Sequence, residues 1–128
     1  MMSELSIYIH WPYCLSKCPY CDFNSHVSDK KIDQEEFLEL IEKEIDYHGK
    51  YIDNKKISSI FFGGGTPSLM DPNIIGRILA HLSSRCNIEN DTEITMEANP
   101  TSVESQKFRD YAVTGINRIS IGIQSLDN

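Results

Sequence analysis

The spacing of apolar positions along the chain switches back and forth between about two residues and about three and a half, the periods of strand and helix. Leu5 to His10 alternates, is rich in aromatic and β-branched residues and is closed by Pro12, which predicts a first strand. Asp33, with Glu36 three positions on, caps a helix expected to run to about Tyr51. Phe37, Ile41, Ile45, His48 and Ile52 fall on one face of it, and Glu35, Glu39, Glu42, Lys43 and Asp46 on a face read as solvated. Ile57 to Phe62 is a short apolar run, of the kind buried on both sides, and Gly63 to Ser68 breaks it. Asp71 and Pro72 open a second helix carried by Ile74, Ile75, Ile78, Leu79 and Leu82. A polar connection follows from Ser83 to Asp91, in which the isolated Cys86 reads as structural. Thr92 to Glu97 predicts a third strand. Thr101 to Glu104 is a capping box for a third helix with the stripe Val103, Phe108, Tyr111 and Ala112, ended by Gly115. From Asn117 to Gln124, Ile119, Ile121 and Ile123 alternate with Ser120, Gly122 and Gln124 as a fourth strand.

Strand and helix therefore alternate three times and a fourth strand follows, the pattern of right-handed β-α-β units on a parallel sheet and of the α/β class. The chemically suggestive residues all follow strands: a cysteine cluster the first, the glycines the second, Glu97 and Gln124 the ends of the third and fourth. In parallel α/β folds that edge is where ligands bind.

With 128 residues, 40% hydrophobic and 24% charged, the composition is that of one globular domain. A formal net charge of -7 offers no basic patch to replace phosphate counterions, so nucleic acid is not an expected partner. No apolar run reaches the roughly 18 residues that span a bilayer, which excludes insertion but leaves peripheral membrane contact open. No secretory leader precedes the first strand, and the cysteine usage suits a reduced, cytoplasmic protein.

Cys14, Cys18 and Cys21 form a C-x3-C-x2-C pattern, three of the four cysteines within eight residues. Three thiolates do not close a tetrahedral zinc site, which would need His10 or His26 as a fourth ligand at unusual spacing. They suit a four-iron cluster with one iron left open to a small molecule. The glycines at 63–65 let backbone approach a ligand closely, the N–H groups being candidates to hold its amino or carboxylate end. They match neither the Walker phosphate loop, which needs a lysine where Thr66 and Pro67 stand, nor the dinucleotide spacing. Glu97 and Gln124 would add acceptors for ribose hydroxyls or an ammonium group.

These motifs together resemble the radical S-adenosylmethionine (SAM) proteins. More narrowly, Tyr8 to Cys14, Gly63 to Ser68, Met96 to Pro100 and Asn117 to Ser125 resemble the oxygen-independent coproporphyrinogen III oxidase group, and within it the haem chaperone branch of the HemW type. The resemblance implies the N-terminal part, about three and a half β/α units, of a partial TIM-type barrel. It implies a [4Fe-4S] cluster on Cys14, Cys18 and Cys21 with SAM on the fourth iron. SAM contacts are implied for Tyr8, the Tyr20 backbone, Gly64, Gly65, Thr66, Glu97 and Gln124. In the family an electron from the cluster cleaves SAM to methionine and a 5′-deoxyadenosyl radical.

The oxidases carry a further cysteine two residues after the third ligand, where this chain has Phe23. That favours the chaperone, whose cargo is haem and whose partners are haem-accepting enzymes and a reductant for the cluster; coproporphyrinogen oxidase activity is then not expected. The oxidase and a plain iron-sulfur electron carrier are the alternatives. Family members are several times longer, so residues 1–128 are expected to be the N-terminal portion of a radical SAM core, marginal and association-prone alone because its fourth strand has a bare edge.

Overall fold

The computed structural model describes residues 4–14, 26–27, 33–98 and 102–121, and of Cys14, residues 26–27 and residues 102–106 the backbone only. In chain order the elements are β1 (Glu4–Trp11), β2 (Tyr13–Cys14), β3 (His26–Val27), α1 (Gln34–Tyr47), α2 (Gly49–Ile52), β4 (Lys56–Gly64), a 3-10 turn (Pro67–Leu69), α3 (Pro72–Ser83), β5 (Glu93–Ala98), α4 (Ser102–Thr114) and β6 (Arg118–Ile121). β1, β4, β5 and β6 form one parallel sheet in that order, with helix between successive strands, as the alternation of periods predicts.

The two faces of this sheet differ because side chains alternate along each strand. Ile9 and Trp11 of β1, Ile57, Ile60 and Phe62 of β4, and Ile94 and Met96 of β5 are buried in one cluster with Leu38, Ile75, Ile78, Leu82 and Tyr111 from the helices. Ile57 and Ile60 are three residues apart yet share this face. The register shifts from Leu5↔Ile57 to Ser6↔Ser59, so Ser58 is the extra residue of a bulge that resets the alternation. The opposite face carries Ser6, Tyr8 and His10 of β1, then Ser59, Phe61 and Gly63 of β4. β4 is thus covered by helices on one side only among the described residues, rather than on both as its apolar run suggested; Ser59 and Phe61 stay partly exposed.

Asp33 caps α1 by accepting from the Glu36 N–H, and Asp71 caps α3 by accepting from the Asn73 N–H. The buried face of α1 is Phe37 and Leu38 with Ile41 and Ile45 half-buried, so Leu38 replaces His48, which is exposed at the C-cap. The helix stops at Tyr47 rather than Tyr51. Just beyond, Gly49 lies under the Arg85 guanidinium, where a Cβ would come within 2.2 Å of Nη2. The acidic face of α1 is solvated, as expected, and Glu35 and Asp46 on it are paired across to neighbouring residues. Glu35 accepts from Arg77 at 2.8 Å, and Asp46 sits 2.8 Å from His81 Nε2 and 2.7 Å from Arg85 Nη1, tying α1 to α3. The His81 hydrogen bond above all, seconded by Arg85, lowers the Asp46 carboxyl below its ordinary value. On α4, Tyr111 is fully buried and Phe108 half-buried, but Ala112 faces solvent; Val103 has no described side chain. Cys86 is structural, as expected: it is buried, its thiol donates to Leu82 O at 3.1 Å, and burial raises its pKa.

No helix among the described residues is long and apolar enough to cross a membrane.

Candidate functional site

The open face of the sheet gathers polar and aromatic groups at the C-terminal ends of the strands. Tyr8 lies opposite Phe61 and His10 opposite Gly63, while Glu97 of β5 lies opposite Ser120 of β6. Gly63 is the centre of this arrangement. A Cβ there would sit 2.8 Å from Glu97 Oε1, from Phe61 Cε1 and from the Tyr8 hydroxyl, so three side chains lean over a position that only hydrogen fills. Tyr8 stacks on Phe61 with ring centroids 5.9 Å apart, and its hydroxyl is 3.4 Å from His10 Nδ1. Partial burial, and after it the nearby Glu97 carboxylate, pushes the phenol of the largely exposed Tyr8 above its ordinary pKa; its hydroxyl is able to donate at neutral pH.

The glycine loop is anchored on both sides. Gly64 takes φ +118°, and a Cβ on it would meet Trp11 O at 2.4 Å, so both backbone conformation and space require glycine. Its N–H donates to Glu97 Oε1 at 3.1 Å, the Gly65 N–H to Trp11 O at 2.7 Å, and the Thr66 N–H to Tyr13 O at 2.7 Å. All three of these N–H groups are thus engaged within the protein. They hold the loop against β1 and β2, and what faces outward from Gly63 is carboxylate, phenol and aromatic ring. Trp11, fully buried, packs edge-on against Tyr13 and Phe37, 4.9 and 4.8 Å between centroids, and fixes the stretch that leads into Cys14.

β2 ends on Cys14 and pairs in parallel with β3, Tyr13 opposite His26 and Cys14 opposite Val27. Among the sequence-predicted site residues, Tyr8, Gly64, Gly65, Thr66 and Glu97 come together at this one edge, with the Cys14 backbone on the strand that the loop grips. Cys18, Tyr20, Cys21 and Gln124 lie outside the described residues. Sequence reasoning passed over Phe61 as a site residue, weighed His10 only as a zinc ligand, and took Gly63 only as part of the glycine run. The alternation that places Tyr8 on the open face places His10 there too, and pairing with β4 adds the other two.

Residues 8–128 match the family described as the Radical SAM superfamily. Heme chaperone HemW of Escherichia coli (strain K12) is 44% identical over 124 residues, 97% of this chain and 33% of that protein. Heme chaperone HemW of Buchnera aphidicola subsp. Schizaphis graminum is 43% identical over 127 residues, 99% of this chain and 34% of that protein. The chain thus spans about a third of the length of these curated relatives. Among solved structures, coproporphyrinogen III oxidase (HemN) from Escherichia coli, described as a radical SAM enzyme, superposes with TM-score 0.83 at 27% identity, covering 98% of this chain and 29% of that one.

Proposed function

We infer function from one premise: the chain belongs to the radical SAM superfamily. Its α/β sheet has the fold of the radical SAM oxidase it superposes on. On this reading residues 1–128 are the N-terminal portion of a radical SAM core that binds a [4Fe-4S] cluster through Cys14, Cys18 and Cys21, and SAM at the strand edge beside it. The protein is a cytoplasmic haem chaperone that passes haem to haem-dependent enzymes and draws electrons for its cluster from a reductant protein.

The observation that carries the SAM site is the cradle over Gly63. A missing Cβ, a carboxylate, a protonated phenol and an aromatic ring suit a flat, polyhydroxylated, cationic ligand better than they suit a metal ion alone. Glu97 accepts from an ammonium or ribose hydroxyl, the Tyr8 hydroxyl donates, and the Tyr8–Phe61 stack offers an apolar wall. Gly64, Gly65 and Thr66 would contribute through backbone and shape, and the Tyr20 backbone and Gln124 would complete the site. Three clustered thiolates suit iron-sulfur ligation. When bound, cluster and SAM supply reductive cleavage of a carbon-sulfur bond; the protein's own residues orient the ligand and stack on it.

Haem handling rests on the likeness to the HemW proteins and on Phe23, which stands where oxidases of the group carry cysteine. The superposition on HemN favours, as a second reading, oxidation of a porphyrinogen's propionate side chains.

Anaerobic reconstitution with iron and sulfide, followed by electron paramagnetic resonance (EPR) with and without SAM, tests the site. A cubane signal that shifts with SAM and is lost in Cys18→Ala is the expected result. A cluster indifferent to SAM would favour the electron carrier, and zinc in place of iron would sink the reading. Haem titration followed in the Soret region, set beside an assay for coproporphyrinogen consumption, separates chaperone from oxidase.

A further inference from the structure

We propose that Tyr111 of α4 is a positioning residue for the SAM site, an inference that rests on the proposed function above. Tyr111 is fully buried, more than forty residues from the glycine loop in sequence, and has no place in the cradle itself. Its hydroxyl lies 2.7 Å from Ser68 O and 3.0 Å from Met70 O, and the single O–H is shared between two carbonyls that bracket the end of the 3-10 turn. The Lys107 ammonium, one helical turn earlier, reaches the same Ser68 carbonyl at 3.2 Å. A core position filled by tyrosine rather than phenylalanine brings a polar atom that must be satisfied in the interior. Here that atom is placed on the backbone that follows Thr66.

The loop between Gly63 and Asp71 thereby hangs between anchors on different elements. At its start the Gly65 and Thr66 N–H groups hold Trp11 O and Tyr13 O, directly ahead of Cys14. At its end Tyr111 holds Ser68 and Met70, while the Gln34 amide of α1 donates to Leu69 O at 3.0 Å and accepts from the Asp71 N–H at 2.7 Å. The 3-10 turn joins the two ends with only three residues, so a shift at Ser68 is transmitted to Thr66 and from there to the strand that carries Cys14. α4, a helix outside the site, thus sets the register between the glycine loop and the cysteine strand.

The test compares Tyr111→Phe with Ile57→Val, a buried change at the opposite end of β4 from the glycine loop. Both are measured for amide hydrogen exchange at Gly65 and Thr66, and for SAM affinity of the reconstituted protein from its EPR response. Tyr111→Phe should raise exchange at those two amides and weaken SAM binding by about three- to tenfold, the share of one hydrogen bond, with neither effect in Ile57→Val. Equal exchange in the two variants, or faster exchange in Tyr111→Phe with unaltered SAM affinity, would overturn the proposal. If the unmutated chain itself ignores SAM, the SAM reading fails and with it the proposal as stated, while the exchange result still reports whether Tyr111 holds the loop.

Discussion

The two faces of the β1-β4-β5-β6 sheet are built from the same strands and do opposite work. On the helix side Trp11, Ile57, Ile60, Phe62 and Met96 are all but inaccessible, packed at interior density, and their contribution is stability. One residue along each strand, Tyr8, Phe61 and Glu97 remain partly exposed around a missing Cβ at Gly63. That second face carries carboxylate, phenol and aromatic groups that touch one another and stay partly open to solvent. Period-two alternation thus divides a strand between folding and chemistry, so a substitution's effect depends on the face its position serves.

The largest expected effect is on the helix side. Phe62→Ala should cost about 3–5 kcal/mol, a large part of a single domain's stability, read as a drop in the denaturation midpoint. SAM binding should fall only in proportion to the unfolded fraction; a specific loss in protein that remains folded would show the two faces to be less separate than described. Next comes Gly64→Ala, where a side chain at φ +118° meets Trp11 O. Strain of roughly 1–3 kcal/mol is expected, together with loss of the SAM-dependent EPR change, because the loop must leave the cysteine strand. Retention of the full SAM response would contradict the coupling of loop to strand.

Glu97→Gln sits wholly on the open face. It should leave the melting temperature within a few degrees and weaken SAM by roughly tenfold or more, the scale of a hydrogen bond to a charged group. It should also move the Tyr8 titration down toward, but not to, its ordinary value, since burial is the larger cause of the upward shift. Ultraviolet difference titration, with Tyr8→Phe as assignment, measures this, and an unmoved titration would remove Glu97 from the vicinity of the phenol.

The smallest effect lies far from either face. Asp46 has a folded-state pKa below its unfolded one, so its contribution is present above about pH 4 and lost as pH falls through the lowered value. Asp46→Asn should therefore be the less stable form at pH 6, with the gap to the unmutated chain closing on acidification. A pH-independent gap would mean that the contacts with His81 and Arg85 do not act through charge.

Much of this was legible in the residues. Alternation in Leu5 to His10 and in Thr92 to Glu97, the caps at Asp33 and Asp71, and the isoleucine stripe of α3 predict local structure because each depends on nearby positions alone. The convergence of Tyr8, the glycine loop and Glu97 followed from strand order. What stayed hidden depends on contacts distant in sequence. The Ser58 bulge is visible only against its partner strand. α1 stops where Arg85 lies over Gly49, and the ion pairs on its solvated acidic face form only with Arg77 and His81 of α3 and Arg85 just beyond it. The bonds from the Gly65 and Thr66 N–H groups to Trp11 O and Tyr13 O join stretches more than fifty residues apart, and no local pattern announces them.

Gly63→Ala puts a methyl group into the cradle itself. Unlike Gly64, Gly63 does not need a positive φ, and the three atoms nearest an added methyl belong to the Glu97, Phe61 and Tyr8 side chains. The reconstituted variant should keep its fold and its cluster signal while losing most of its SAM affinity, measured by titrating the EPR change. Undiminished SAM binding in a folded, cluster-bearing Gly63→Ala chain would show that SAM does not occupy the space over Gly63.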